Sequence, residues 1–232
     1  MWQQQQFDCI VVGGGPAGTT FAQVASRGGL SVLVLEKDRD IGMPVRCGEA
    51  ISDKGLRYFH DPDPRWIQST IDRIKLTAPN GTEIEFDLND KGYILDRRIF
   101  DYDLAHMAVQ EGARVVTKAY VNGLIIDNDM VCGVKGNYLN TPFEIKAKFV
   151  IGADGVESRV GRWGGLRTQV KLKDMESGIQ KTVSGIEVQS NKFEFYLSRE
   201  WAPGGYLWVF PKGNKSANIG LAISGYYAKE GK

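Results

Sequence analysis

Residues 8–36 read DCIVVGGGPAGTTFAQVASRGGLSVLVLE, and this stretch decides the fold of the first part of the chain. The apolar run 8–12 predicts a buried strand, and 31–36 predict a second one. Between them, 16–28 predict a helix with Pro16 in its first turn. A strand, a helix and a strand within about thirty residues form a βαβ unit, whose two strands are parallel. The sequence therefore predicts an α/β fold with a parallel, Rossmann-like sheet.

The glycine-rich junction between the first strand and the helix fits the pattern Gly-x-Gly-x-x-Gly. Gly13 permits the tight turn, Gly15 lets backbone N–H groups approach a pyrophosphate, and Gly18 lets the helix pack closely on the strand. Glu36, at the end of the second strand, can accept hydrogen bonds from both ribose hydroxyls of an adenosine. These residues predict a bound adenine dinucleotide and leave NAD and FAD open. A plain glycine turn beside a surface glutamate is the structural alternative.

The rest of the chain predicts further strands and one long helix. Residues 37–66 are interpreted as a loop with one short helix, and 98–112 as an amphipathic helix. The tail 224–232 is interpreted as polar, with no closing element. Alternating apolar residues around Pro79-Asn80-Gly81 predict an antiparallel hairpin with one wet face. Strands are predicted at 71–78, 82–88, 114–121, 124–126, 130–135, 143–148, 149–153, 185–189, 192–197, 206–210 and 217–222.

Composition excludes several classes of protein. The 232 residues carry 29 Lys and Arg against 28 Asp and Glu, so a nucleic-acid partner is not expected. Three widely spaced cysteines make neither a disulfide framework nor a metal site, and they favour a reducing, cytoplasmic compartment. No metal is expected. No signal peptide is visible, and no apolar stretch approaches the ~18 residues of a membrane span.

Two later segments extend the dinucleotide motif. They are RRIFD at 97–101 and VIGADG at 150–155. Together with the glycine fingerprint they resemble flavoproteins of the p-hydroxybenzoate hydroxylase type. The resemblance implies FAD as the cofactor, with Arg97 contacting it, the strand near Val121 contacting the adenine, and Asp154 near the pyrophosphate. The structural alternatives are a surface arginine at a helix start and a plain Asp-Gly turn.

Two more segments narrow the resemblance. VRCGEAIS at 45–52 and PGGYLWVFP at 203–211 are similar to the Cys-Gly-Glu segment and the Pro-x-x-Tyr-x-Trp-x-Phe-Pro motif of the geranylgeranyl reductase family. The similarity covers 7–222. Tyr206, Trp208 and Phe210 alternate, so they share one strand face, and a flat aromatic face suits an apolar channel. Plain sheet core is the alternative for these three rings.

The family resemblance implies a reaction and its partners. We expect a flavin-dependent reductase that saturates the double bonds of a prenyl lipid or prenyl diphosphate. NAD(P)H or ferredoxin would donate electrons, and a peripheral contact with the membrane is a further expectation. A flavin monooxygenase and a nucleotide-binding fragment without activity are the alternatives. An NAD-linked dehydrogenase is disfavoured because it would leave Arg97 and Asp154 without a role.

The resemblance also implies site residues and a division into domains. Residues 1–66 and 92–165 are predicted to bind FAD, and 67–91 and 166–232 to form an antiparallel substrate domain. Since family members continue past this point, the chain is expected to be truncated at its C-terminus. Gly220-Leu221-Ala222 departs from the family's Gly-x-Gly. The residues expected in catalysis are Cys47, Tyr206 and Trp208. Those expected to bind the cofactor are Gly13, Gly15, Pro16, Ala17, Gly18, Glu36, Lys37, Arg46, Cys47, Gly48, Ala50, Arg97, Val121, Asp154 and Gly155. Those expected to bind the substrate are Tyr206, Trp208, Phe210 and Pro211.

Overall fold

The computed structural model describes residues 2–229, which fall into two compact units. Residues up to 45 and 98–169 form the first unit, and 46–97 with the residues from 170 onward form the second. The strands are β1 (Phe7–Val12), β2 (Val32–Leu35), β3 (Ala50–Ser52), β4 (Ile67–Thr77), β5 (Glu83–Leu95), β6 (Arg114–Val116), β7 (Ala119–Asp127), β8 (Met130–Tyr138), β9 (Thr141–Gly152), β10 (Glu176–Ser184), β11 (Lys192–Tyr196), β12 (Tyr206–Pro211) and β13 (Ser216–Ser224). The helices are α1 (Pro16–Arg27), α2 (Asp53–Arg57), α3 (Arg97–Gln110), α4 (Arg159–Trp163) and α5 (Gly225–Lys229).

The first unit contains a six-stranded sheet in the order β6-β2-β1-β9-β8-β7. Strands β6, β2, β1 and the end of β9 are parallel, which confirms the predicted βαβ unit. The other half of β9 pairs antiparallel with β8, which in turn pairs with β7. The strands predicted at 143–148 and 149–153 are therefore one strand. It changes partner at Lys146–Ala147 with no turn between the two halves.

Both faces of the parallel sheet are covered. Along β1, Cys9 and Val11 pack with Ala22 of α1 and with Ala108 of α3. The alternate residues, Ile10 and Val12, pack with buried side chains of the β7–β9 hairpins. Because both faces of β1 are buried, neither face needs polar side chains, and this explains the uninterrupted apolar run in the sequence.

The second unit contains a seven-stranded sheet in the order β10-β13-β12-β11-β4-β5-β3. Its neighbouring strands are antiparallel, except that β11 runs parallel to β4. The predicted hairpin around Pro79-Asn80-Gly81 is confirmed as β4 and β5, which are longer than predicted. Ile71, Ile94 and Phe210 form the buried centre of this sheet.

The structure corrects several element predictions. Residues 185–189 are not a strand: Gly185 has φ +79° and ends β10, which occupies Glu176–Ser184 instead. The strand predicted at 114–121 is broken into β6 and β7 at Lys118, whose φ is +58°. The loop predicted at 37–66 contains β3 as well as α2. The tail forms the short helix α5, and its last residues, 230–232, lie outside the described part of the chain.

The unit boundaries also differ from the predicted domain boundaries. Residues 46–66 and 92–97 group with the second unit, because β3 pairs with the end of β5 and Asp96 donates its backbone N–H to Trp66 O at 2.7 Å. Residues 166–169 group with the first unit. Among the helices described, none has the length and apolar character needed to cross a membrane.

Candidate functional site

The glycine loop of the first unit is shaped by close backbone contacts. Gly13 has φ +110°, and a Cβ placed there would lie 2.2 Å from Ala153 O. A Cβ on Gly18 would lie 2.0 Å from Gly13 O. Gly15 precedes α1 without a capping side chain, and no heavy atom lies within 4 Å of where its Cβ would be. The start of this twelve-residue helix is therefore open on the side where backbone N–H groups and the helix dipole favour a phosphate.

Glu36, directly after β2, stabilises this loop through hydrogen bonds to its carboxylate. Its Oε2 accepts a hydrogen bond from the backbone N–H of Gly14 at 2.7 Å, and its Oε1 accepts one from Asp38 at 2.8 Å. Each carboxylate oxygen has a second lone pair. Glu36 therefore has a structural task as well as the capacity to bind a ribose, which stays a prediction.

The turn that contains Asp154 lies against the glycine loop. Ala153 donates its backbone N–H to Val12 O at 2.9 Å, which places the turn directly beyond β1. Asp154 Oδ2 accepts hydrogen bonds from the backbone N–H groups of Arg159 and Val160, at 2.6 and 3.0 Å, at the start of α4. Gly155 has φ +72°. The two sequence motifs of the first unit are thus brought together, and Asp154 holds α4 in place.

A cavity of about 590 Å³ opens in the first unit beside Tyr120. The buried Val121 follows Tyr120, whose hydroxyl accepts a hydrogen bond from Arg159 Nη1 at 2.7 Å. Two lysines line this cavity, and Lys37 Nζ also lies 3.9 Å from Glu157 Oε2. Lys37 is among the residues predicted to bind the cofactor, which stays a prediction. Lys118 is not among them, and it lies in the break between β6 and β7, where the sequence predicted one continuous strand. The cavity is lined by Lys37, Lys118, Tyr120, Asn137, Leu139 and Asn140.

The second unit carries the aromatic motif on β12. The ring centroids of Tyr206 and Trp208 are 6.0 Å apart, and those of Trp208 and Phe210 are 6.2 Å apart. Phe193 and Phe195 of β11 extend this ladder, at 4.7 Å from Phe210 and 5.3 Å from Tyr206 respectively. Sequence reasoning missed both, although their alternation along β11 was a usable signal. Phe210 and the following Pro211 are buried, whereas Tyr206 and Trp208 are half-buried.

The loop with Cys47 packs against this aromatic strand. A Cβ on Gly48 would lie 2.9 Å from Phe210 Cε2, so the absence of a side chain lets the loop lie flat on that ring. Cys47 is exposed, and its Sγ accepts the backbone N–H of Glu49 at 3.3 Å. The neighbouring Arg46 and Ala50 are also exposed.

Glu49 fixes the loop to the rest of the second unit. Its side chain is 2% exposed, and Glu49 has φ +69°, which is unusual for a residue with a side chain. The carboxylate accepts hydrogen bonds from Lys212 Nζ at 2.6 Å, Asn218 Nδ2 at 2.7 Å and the backbone N–H of Arg97 at 3.0 Å. Arg97 itself is half-buried at the start of α3. Sequence reasoning assigned no role to Glu49, Lys212 or Asn218.

The chain matches two family models. Residues 174–232 match the geranylgeranyl reductase catalytic domain, and 11–74 match an NAD(P)-binding Rossmann-like domain. The second match covers the glycine loop and Glu36, and the first covers the aromatic strand.

Curated relatives and solved structures extend this likeness over nearly the whole chain. A digeranylgeranylglycerophospholipid reductase of Methanocella arvoryzae is 45% identical over 95% of the chain. The chain spans 57% of that protein's length. A crystal structure of a geranylgeranyl bacteriochlorophyll reductase-like protein from Thermoplasma acidophilum is 37% identical, with a TM-score of 0.90 over 96% of this chain and 58% of that one. A flavin-dependent brominase with a TM-score of 0.77, over 97% of this chain and 59% of that one, is 19% identical and shares the fold alone.

Proposed function

Because the chain is 45% identical to a digeranylgeranylglycerophospholipid reductase and spans 57% of its length, we propose that it belongs to the geranylgeranyl reductase family, binds FAD and contributes to the reduction of isoprenoid double bonds. The proposed substrate is the geranylgeranyl chain of a prenyl lipid. One observation carries the proposal: the loop with Cys47 lies on the same aromatic strand that bears Tyr206, Trp208 and Phe210. Reduction of a double bond in a long hydrocarbon needs an apolar surface for the chain and a proton donor beside it, and the aromatic strand and the Cys47 loop are proposed to supply them.

The first unit supplies the features that fit the adenine and pyrophosphate part of FAD. The open helix start at Gly15, with Pro16, Ala17 and Gly18, would hold the pyrophosphate together with the turn at Asp154 and Gly155. Glu36, Lys37 and Val121 would hold the adenosine end. For the flavin end, the family resemblance proposes residues that group with the second unit, namely Arg46, Cys47, Gly48, Ala50 and Arg97. When bound and reduced, FAD would supply a hydride to an alkene carbon, which is chemistry that the protein's own side chains lack.

The second unit supplies the features that fit an isoprenoid. Tyr206, Trp208 and Phe210 present rings that interact with a hydrocarbon by dispersion and make few hydrogen-bond demands. Pro211 ends the same strand. The Cys47 thiol and the Tyr206 hydroxyl are acidic enough to give up a proton, so they are the proposed sources of a proton beside the reacting bond. Excluding water from this surface would protect the reduced cofactor from side reactions.

Two finer points complete the proposal. The sequence shows one dinucleotide fingerprint, at Gly13–Gly18, and FAD would occupy it. The proposed electron donor is therefore NAD(P)H that binds transiently, or a ferredoxin. A membrane lipid is reached most directly from the membrane surface, so we propose a peripheral contact with the membrane.

The cofactor assignment is tested by the visible spectrum of the purified chain. We expect flavin absorption bands in the wild type and their loss in Glu36→Arg, which puts a cation beside Gly14 in place of the ribose acceptor. Glu144→Arg is the matched control, because Glu144 is an exposed glutamate on β9 of the same unit. Equal flavin content in all three proteins would refute the assignment.

The activity is tested with the intact protein, a geranylgeranyl lipid and a strong reductant under anaerobic conditions. We expect the lipid to gain two hydrogens per reduced double bond by mass spectrometry. A product that instead gains oxygen when air is admitted would indicate a monooxygenase and would contradict the proposal.

A further inference from the structure

Trp208, Gly220 and Gln180 form a row across three neighbouring strands of the second unit. Trp208 on β12 pairs with Gly220 on β13, and Gly220 pairs with Gln180 on β10. A Cβ on Gly220 would lie 2.3 Å from Trp208 Cζ2. The missing side chain in the middle of the row therefore lets the indole of Trp208 lie across β13 and reach the strand beyond it.

Gln180 receives the indole and connects it to the loop with Cys47. Its Oε1 accepts the hydrogen bond of Trp208 Nε1 at 2.9 Å, and its Nε2 donates to the backbone carbonyl of Cys47 at 2.8 Å. An indole N–H can only donate, and a carbonyl oxygen can only accept. The two partners thus permit one orientation of the Gln180 amide, with both of its ends in use.

We propose that Gln180 is a positioning residue that holds the indole of Trp208 and the Cys47 loop in one fixed arrangement. It acts through these two groups and does not itself touch the substrate. The proposal rests on the proposed function for its catalytic consequence. The bridge itself is a property of the second unit, and it can be measured without turnover.

The bridge is tested first in the purified chain. Gln180→Leu removes both hydrogen bonds, whereas Gln180→Glu keeps an acceptor for the indole and loses the donor to Cys47. Hydrogen exchange of the 46–50 segment should accelerate about fivefold in both variants, since a net hydrogen bond shifts an opening equilibrium by about that factor. The NMR signal of the Trp208 indole N–H, assigned with Trp208→Phe, should move in Gln180→Leu and keep its hydrogen-bonded position in Gln180→Glu.

Lys181→Gln is the matched control. Lys181 is exposed and follows Gln180 on β10, so its side chain leaves the opposite face of the sheet. We expect wild-type exchange and indole signals in this variant. Unchanged exchange of 46–50 in Gln180→Leu, or the same acceleration in Lys181→Gln, would overturn the proposal.

The catalytic consequence is tested in the intact protein. With flavin content unchanged, Gln180→Leu should lower kcat at least about fivefold by letting the indole and loop move apart, and Gln180→Glu should lose less. An active wild type with unchanged kcat and KM in Gln180→Leu would overturn the positioning role. A wild type without reductase activity would refute the proposed function instead, while the exchange measurement would still decide the bridge.

Discussion

Replacing Lys212 with methionine breaks the ion pair that fixes the Cys47 loop. Lys212 Nζ lies 2.6 Å from Glu49 Oε2, and the two side chains are 12% and 2% exposed. Methionine keeps most of the length and apolar volume of the lysine stem. The change therefore removes the charge and leaves the buried carboxylate without its cation.

The magnitude follows from burial. Removing one partner of a buried ion pair costs about 3–5 kcal/mol, because the remaining charge stays desolvated. Glu49 keeps two donors, Asn218 Nδ2 and the backbone N–H of Arg97, so we expect the lower end, about 3 kcal/mol. For a chain of this size that corresponds to a fall in Tm of about 6–12 °C.

Urea denaturation and thermal unfolding of the purified chain measure this loss. The pair Lys75–Glu83 of the same sheet provides a matched control, since its atoms are also 2.6 Å apart but Glu83 is 54% exposed. Lys75→Met should cost less than about 1 kcal/mol. The double variant Glu49→Gln/Lys212→Met removes the stranded charge, so it should be more stable than Lys212→Met by at least about 1 kcal/mol.

Two results would refute this reasoning. If Lys212→Met is as stable as Lys75→Met, the burial of the pair has no energetic consequence. If the double variant is no more stable than Lys212→Met, the loss arises from packing around the lysine stem and not from the stranded carboxylate.

The remaining predictions concern the two units separately. Gly18→Ala forces a methyl to within 2.0 Å of Gly13 O, so it should lower stability by about 1–3 kcal/mol and abolish flavin binding, as measured by denaturation and absorbance. The hydrogen bond from Lys148 lowers the pKa of Asp8 below its usual 3.8, so the carboxylate stabilises the fold above that pH. The loss in free energy of unfolding caused by Asp8→Asn should therefore reach its maximum by about pH 7 and become smaller below about pH 4. Equal losses at the two pH values would contradict a stabilising role for the Asp8 carboxylate. Trp208→Ala should impair reduction of long prenyl chains while flavin stays bound; loss of folding would instead identify Trp208 as a core residue.

The first unit was largely predictable because its strands are buried on both faces. The strand predicted at 8–12, the helix predicted at 16–28 and the strand predicted at 31–36 are each found within one residue of the predicted bounds. Burial on both faces leaves an uninterrupted apolar signal, and the glycine loop marks the junction. The contact between Gly13 and Ala153 was not predictable in the same way, because it joins segments some 140 residues apart.

The second unit shows where sequence reasoning stops, and why. The alternation at 206–210 correctly placed three rings on one face, because side-chain direction depends on position along a single strand. The neighbours of that strand depend on sheet order, which a local pattern does not encode. β11 pairs in parallel with β4, although more than 100 residues of sequence separate them. β10 and β12 are not neighbours in the sheet, and Gly220 of β13 lies between Gln180 and Trp208. Gln180 stands in a stretch of mostly polar residues, and nothing in that stretch distinguishes it from its neighbours. Its contact with Trp208 depends on the register of β10, β13 and β12, and on the space that Gly220 leaves between the two larger side chains.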